Sequence, residues 1–373
     1  MALRRSARLS AAAEQKPADT QVTTTVRKTK SKTKRDGVKE KRKVSAEDIF
    51  TETILAKAAI DVSEAPTTLK RKRTDETDDE PSSNGTMRVT PPPLDRPVEP
   101  HRTNATLLTP RGSSVVAYPP GAKSISPSKT GLPRPIATTG TLLEKAVAHL
   151  IAVDPRLKPL IDKHPCPLFS PEGLAEQIDP FESLASSIIA QQVSGAAAKS
   201  IKKKFIALFN ADGPDETLRT KRFPTPAELA RCDIATLRTA GLSQRKAEYI
   251  QGLAEKFVSG ELSTEMLLKA SDEELLEKLT AVRGLGKWSV EMFACFALKR
   301  TDVFSTGDLG VQRGCAAFVG RDVNKLKAKG GGKFKYMPEK EMLELAEKFR
   351  PYRSLFMWYM WRVENVDITV MKN

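Results

Sequence analysis

The sequence predicts an all-α fold preceded by a long, basic, disordered extension. Three observations carry this. Apolar residues recur at helical spacing through most of the chain after residue 140. Residues 1–140 hold two of the 22 aromatic residues, Phe50 and Tyr118, and 14 of the 25 prolines. A segment with so few large apolar groups does not offset its ordering entropy. No alternating strand pattern of useful length occurs. The expected organisation is a tail over 1–140 and a folded, two-lobed helical domain over 141–373.

The elements follow in order. Leu142, Leu143, Ala146, Val147 and Leu150 form one apolar stripe, with Thr141 as its expected N-cap. Residues 181–209 repeat the pattern through Leu184, Ile188, Ile189, Ile201, Phe205 and Leu208. In Phe223-Pro224-Thr225-Pro226 the threonine is placed to cap and Pro226 to take the first helical position. Further amphipathic stretches cover 227–231, 234–240, 244–259, 272–280, 287–298 and 339–348. About ten helices joined by short loops result. Residues 325–335, with five lysines around Gly330-Gly331-Gly332, are expected to form a mobile basic loop. A short helix over 47–59 would have nothing nearby to cover it.

Charge narrows the function. Lys and Arg number 61 against 46 Asp and Glu, a net charge of +15, which points to a polyanion and first to nucleic acid. The tail carries 26 basic against 16 acidic residues. Two basic clusters in it, 27–43 and Lys70-Arg71-Lys72-Arg73, read as nuclear-import signals or as solvated charge. Cys166, Cys232, Cys295 and Cys315 lie far apart, without the spacing of a zinc or iron–sulfur site. The first 30 residues carry charge and no apolar run, so no secretory signal is expected, and no run approaches a membrane span.

The chemistry is concentrated between Leu279 and Gly314. In Val282-Arg283-Gly284-Leu285-Gly286-Lys287-Trp288 a helix ends, a Gly-x-Gly turn follows and a new helix starts. Two glycines two positions apart permit positive φ and a close backbone approach. The exposed amides and the positive helix end suit a phosphate, to which Lys287 adds charge. The same turn is also an ordinary helix connection. Asp308 follows among small residues in Ser305-Thr306-Gly307-Asp308-Leu309-Gly310. It reads as an N-cap for the next helix, as a carboxylate that stabilises positive charge on a sugar, or as both.

These residues resemble the helix-hairpin-helix DNA glycosylase superfamily, and within it the fungal type of the 3-methyladenine DNA glycosylase II branch. Phe181-Glu182-x-Leu184 leading to Ala190-Gln191-Gln192-Val193-Ser194 is similar to the wedge segment. Phe223-Pro224-Thr225-Pro226 and Gly241-Leu242-Ser243 match the middle, and residues 282–289 the hairpin. Asp302-Val303-Phe304 through Asp308 resembles the catalytic-aspartate segment, and Pro351-Tyr352-Arg353-Ser354 with Trp358 and Trp361 the C-terminal signature. The likeness runs in order from about Leu142 to Trp361 and leaves the tail uncovered.

The resemblance implies a monofunctional hydrolase that flips N-alkylated purines out of double-stranded DNA and starts base excision repair. Asp308 would be the catalytic carboxylate. Trp288 stands where bifunctional relatives carry a nucleophilic lysine, and an indole forms no Schiff base. Trp288, Met292 and Trp361 would line the base pocket, with Met292 in place of a tyrosine of the bacterial relatives. Gln191, Gln192 and Val193 would enter the duplex, Gln192 first among them. Gly284, Leu285, Gly286 and Lys287 would grip the backbone. Carbonyls of Thr280, Val282 and Leu285 would hold a monovalent cation, Na or K, with no catalytic cofactor. Arg353 would pin the C-terminal segment. The cysteine cluster of some superfamily members is missing after Trp361, and His101, His149 and His164 match no family position. The expected setting is a nuclear monomer without membrane contact; the resemblance names no partner for the tail. A non-enzymatic DNA-binding protein with the same hairpin is the competing reading.

Overall fold

A computed structural model describes residues 94–110, 112–117, 137–210, 222–328 and 332–363. The expected basic clusters, the 47–59 helix, Tyr118 and Lys329 to Gly331 lie outside these residues. Fifteen α-helices occur among the described residues, with five strands of two or three residues.

The chain enters through β1 (Pro97–Val98), β2 (Thr106–Leu108) and β3 (Ser114–Val115). β4 (Ala137–Thr138) returns antiparallel to β1, and β5 (Gln177–Ile178) lies parallel to β2. A boundary at residue 140 is therefore too late. Val98, Ala105 and Leu107 are completely buried. The Asn104 side chain accepts from the Glu99 amide at 3.1 Å and donates to the Lys299 carbonyl at 3.0 Å. Arg96 donates to the Asn104 carbonyl at 2.6 Å. Strands this short leave no periodic trace, so composition alone dominated the expectation.

The helices are α1 (Leu142–Val153), α2 (Lys158–Lys163), α3 (Pro171–Ala175), α4 (Pro180–Ala190) and α5 (Gly195–Leu208). There follow α6 (Pro226–Arg231), α7 (Ile234–Thr239), α8 (Gln244–Val258), α9 (Thr264–Lys269) and α10 (Asp272–Thr280). The last are α11 (Lys287–Phe296), α12 (Leu309–Phe318), α13 (Val323–Ala328), α14 (Glu339–Glu347) and α15 (Arg353–Met360). Thr225 and Glu228 form a reciprocal capping box, with Pro226 opening α6. Thr141 does not cap α1; its hydroxyl accepts from the Thr138 amide at 3.1 Å. Four of the eleven residues of the expected basic loop, Lys325 to Ala328, are helical, in α13.

Two cores result. The middle of the chain, from Phe181 to Leu298, packs as one core together with Ala105 and Leu107. The other joins Val98 and α1 to α12, α14 and α15. α12 meets α15 so closely that a Cβ on Gly314 would stand 1.9 Å from the Met360 carbonyl oxygen.

A charge network ties the entering segment to the return. Asp302, almost wholly buried, accepts from Arg353 at 2.6 Å and Arg350 at 2.8 Å. His101 bonds Asp272 at 2.6 Å and lies 3.4 Å from Asp302. Arg353 thus pins the C-terminal helix, and His101, given no role from sequence, links the first segment to α10. The Asp272 hydrogen bond raises the His101 pKa above its ordinary 6.5 against the effect of burial. A raised pKa gives stability that is full below the unfolded value and is lost as pH rises through the folded one. The H101Q variant should therefore lose most stability below the ordinary histidine pKa of 6.5 and progressively less as pH rises above it, read by thermal unfolding. Leu107→Ala should cost about 2–5 kcal/mol, and a chain starting at residue 141 should unfold at lower temperature than one starting at residue 94.

Candidate active site

The hairpin turn is built from its glycines. Gly284 has φ +94, and a Cβ there would stand 2.3 Å from Tyr249 Cδ2, so both conformation and space require glycine. The turn closes with the Leu285 amide on the Val282 carbonyl at 3.1 Å. Gly286 caps α11 without a side-chain bond, and Gly286 and Lys287 are exposed. The first-turn amides of α11 therefore open at a surface where no side chain caps them. Among the described residues no backbone amide donates to the Thr280 or Leu285 carbonyl. Thr280 and Leu285 thus retain carbonyl oxygens of the kind a hard monovalent cation takes, whereas the Val282 carbonyl already accepts from Leu285.

The wedge segment separates α4 from α5. Gln191 is committed elsewhere: its Nε2 donates to the Gly284 carbonyl at 2.8 Å, fastening this loop to the hairpin. Gln192 is exposed and holds φ +53, a left-handed backbone uncommon outside glycine. Val193 is half-buried against the first-and-last-segment core. Ser194 caps α5 by accepting from Ala197. Lys246 reaches across to the Ile189 carbonyl at 2.8 Å, and burial lowers its pKa.

Asp308 is the N-cap of α12 and has no solvent exposure. Its Oδ1 accepts from the Val311 amide and from Trp361 Nε1, both at 2.8 Å. Its Oδ2 accepts from Trp288 Nε1 at 2.8 Å. Three N–H groups thus solvate a carboxylate removed from water. Glu291, bonded to Ser305 at 2.5 Å, is driven upward in pKa by burial, with Asp308 and Glu339 adding to it. Gln312, fully buried, donates to the Thr306 and Lys333 carbonyls and braces the loop before Asp308.

A cleft of about 590 Å³ opens between α4, α5 and α11. Its walls include Ser183, Ser186, Met292, Phe293, Phe296 and Lys299. Met292 lines it, whereas Trp288, Trp361 and Asp308 do not. The tryptophans are instead drawn to the carboxylate, the strongest acceptor within their reach. Trp361 borders the cleft indirectly, stacked on Phe296 at 5.6 Å between centroids. Lys299, missed in the sequence, is buried with φ +55 and pairs with Glu176 at 3.1 Å; burial lowers its pKa. Its Phe-Ala-Leu-Lys context gave no polar signal.

A Gly-x-Gly turn between two helices, followed by a buried carboxylate at the start of the next helix, is the frame of a helix-hairpin-helix protein. The sequence pattern described as "HhH-GPD superfamily base excision DNA repair protein" matches residues 185–330. The chain is 34% identical to the DNA-3-methyladenine glycosylase of Saccharomyces cerevisiae, across 61% of this chain and 81% of the relative. It is 30% identical to DNA-3-methyladenine glycosylase 1 of Schizosaccharomyces pombe, across 61% and 90%. A solved DNA-3-methyladenine glycosidase structure from Bacillus halodurans aligns at 32% identity, with TM-score 0.44, over 58% of this chain and 88% of that one. The chain belongs to the HhH-GPD superfamily of base excision DNA repair proteins, in its alkylbase glycosylase branch.

The two hairpin glycines should respond differently to substitution. Gly284→Ala should destabilise the fold by about 1–3 kcal/mol, from strain and the Tyr249 clash. Gly286→Ala, in extended backbone with no atom within 4 Å of the new Cβ, should leave thermal stability within about 0.5 kcal/mol.

Proposed function

We propose that this protein is a monofunctional DNA glycosylase that hydrolyses the N-glycosidic bond of N-alkylated purines, of the 3-methyladenine and 7-methylguanine type, in duplex DNA. The observation that carries the reading is Asp308, a buried carboxylate held by two indoles one helix away from a phosphate-gripping turn. The names of the yeast relatives supply the substrate class.

The first-turn amides of α11 and Lys287 bind a backbone phosphate, and a monovalent cation on the Thr280, Val282 and Leu285 carbonyls would add positive charge there. Gln192 fills the space left by the extruded nucleotide. The extruded base enters the cleft against Met292 and Phe296. Asp308 faces C1′, stabilises the oxocarbenium-like transition state and orients the attacking water. An alkylated purine carries positive charge and leaves readily, and extrusion costs only a few kcal/mol, least for damaged pairs. Trp288 supplies no amine for strand cleavage. The product is an abasic site, and the place of action is the nucleus.

Base release from duplexes of defined lesions tests this. Asp308→Asn should lower release at least about 100-fold while DNA affinity is kept or improved, because a charge near phosphate is removed. Release of methylated purine by neither protein would leave the non-enzymatic DNA-binding reading, whereas release at the wild-type rate by the variant would remove Asp308 from the chemistry. Borohydride should trap no covalent protein–DNA adduct; an adduct would establish lyase chemistry.

A further inference from the structure

The burial of Asp308 sets a condition on the reaction: no sugar reaches a carboxylate with no exposed surface until something moves. We infer that the two indoles divide the work, Trp361 as the fixed anchor of Oδ1 and Trp288 as a displaceable cover of Oδ2. Oδ2 is then the oxygen presented to the sugar. This rests on Asp308 being the catalytic carboxylate.

Trp361 has no room to leave. It is 9% exposed and stacks on Phe296 with an interplanar angle of 25°. It also lies directly on the first turn of α12: a Cβ on Gly310 would come within 2.7 Å of its Cδ1 and 3.1 Å of its Nε1. Gly310 thus admits the indole to the carboxylate. The Val311 amide holds the same oxygen, so Oδ1 is tied to α12 from two directions.

Trp288 differs in each respect. It is partly rather than fully buried, and it sits in the first turn of α11, next to the exposed Gly286 and Lys287 of the hairpin turn. A nucleotide gripped by that turn meets Trp288 before Asp308. Swinging this indole aside uncovers Oδ2 without disturbing α12, α15 or the stack on Phe296. The charge-assisted bond that must be broken is a threshold, met more readily by nucleotides that are cheap to extrude. Trp288 is in this sense a positioning residue: it holds Oδ2 in readiness and limits which nucleotides reach it.

The chain has three tryptophans, Trp288, Trp358 and Trp361, so ¹⁵N-tryptophan labelling of the full-length protein gives three indole N–H signals. Addition of a duplex carrying a tetrahydrofuran abasic-site analogue should lower the exchange protection of the Trp288 indole at least tenfold, on the order expected for one lost charge-assisted bond. Trp361 should keep its protection. Continued protection of Trp288 in the complex, or release of Trp361, overturns the inference. A second arm uses W288F, which keeps a ring and loses the N–H. It should bind the same duplex roughly tenfold more tightly, since no bond to Asp308 is broken; equal or weaker binding counts against the cover. The underlying reading fails separately. If Asp308→Asn still releases base, Asp308 is not catalytic whatever the indoles do. If that variant is inactive while Trp288 stays protected, the catalytic assignment stands and the cover is wrong.

Discussion

The architecture converges on one interaction, the solvation of a buried carboxylate by N–H groups from three helices. Asp308 takes an amide from α12 and an indole from each of α11 and the end of α15. A carboxylate left without such donors in this environment would cost several kcal/mol. The donors come from Trp288, Val311 and Trp361, so the bond set forms only when the hairpin, the α12 start and the C-terminal segment are in place. Folding and assembly of the site are the same event. The glycines make this possible by absence of bulk, Gly310 for the indole and Gly314 for the α12–α15 contact.

α11 is the element that joins recognition to chemistry. Ten residues at 1.5 Å each make a helix of about 15 Å. Its N-terminus has no side-chain cap, its first turn supplies Trp288, and its later turns give Met292 and Phe296 to the cleft. The Gln191 bond to the Gly284 carbonyl links the wedge loop to the same helix start. The Asp302 cluster with Arg350, Arg353 and His101 fixes the start of the loop that leads to Asp308.

What was readable in the sequence was what depends on local chemistry. The Thr225-Pro226 start, the Gly284 turn and the Asp308 cap each need only their own neighbours, and each is found as expected. The helical periodicity located most of the long elements, although residues 181–209 break at the wedge loop into two helices. The first packed segment was hidden because strands of two or three residues carry no period, and Arg96, Asn104 and His101 reach partners far along the chain, Leu174, Lys299 and Asp272. The tryptophans were assigned to a pocket wall on side-chain type; their N–H groups, and a carboxylate that only the tertiary fold brings near, decided otherwise. Gln191 shows the same limit, since its partner lies 93 residues away.

The most direct measurement is the structure of the full chain bound to a duplex holding a cationic pyrrolidine in place of the lesion sugar, an imitation of the oxocarbenium charge. The account predicts Asp308 Oδ2 within about 3 Å of the ring nitrogen, with Oδ1 still on Val311 and Trp361. A complex in which both indoles remain on Asp308 and the pyrrolidine rests elsewhere would contradict it.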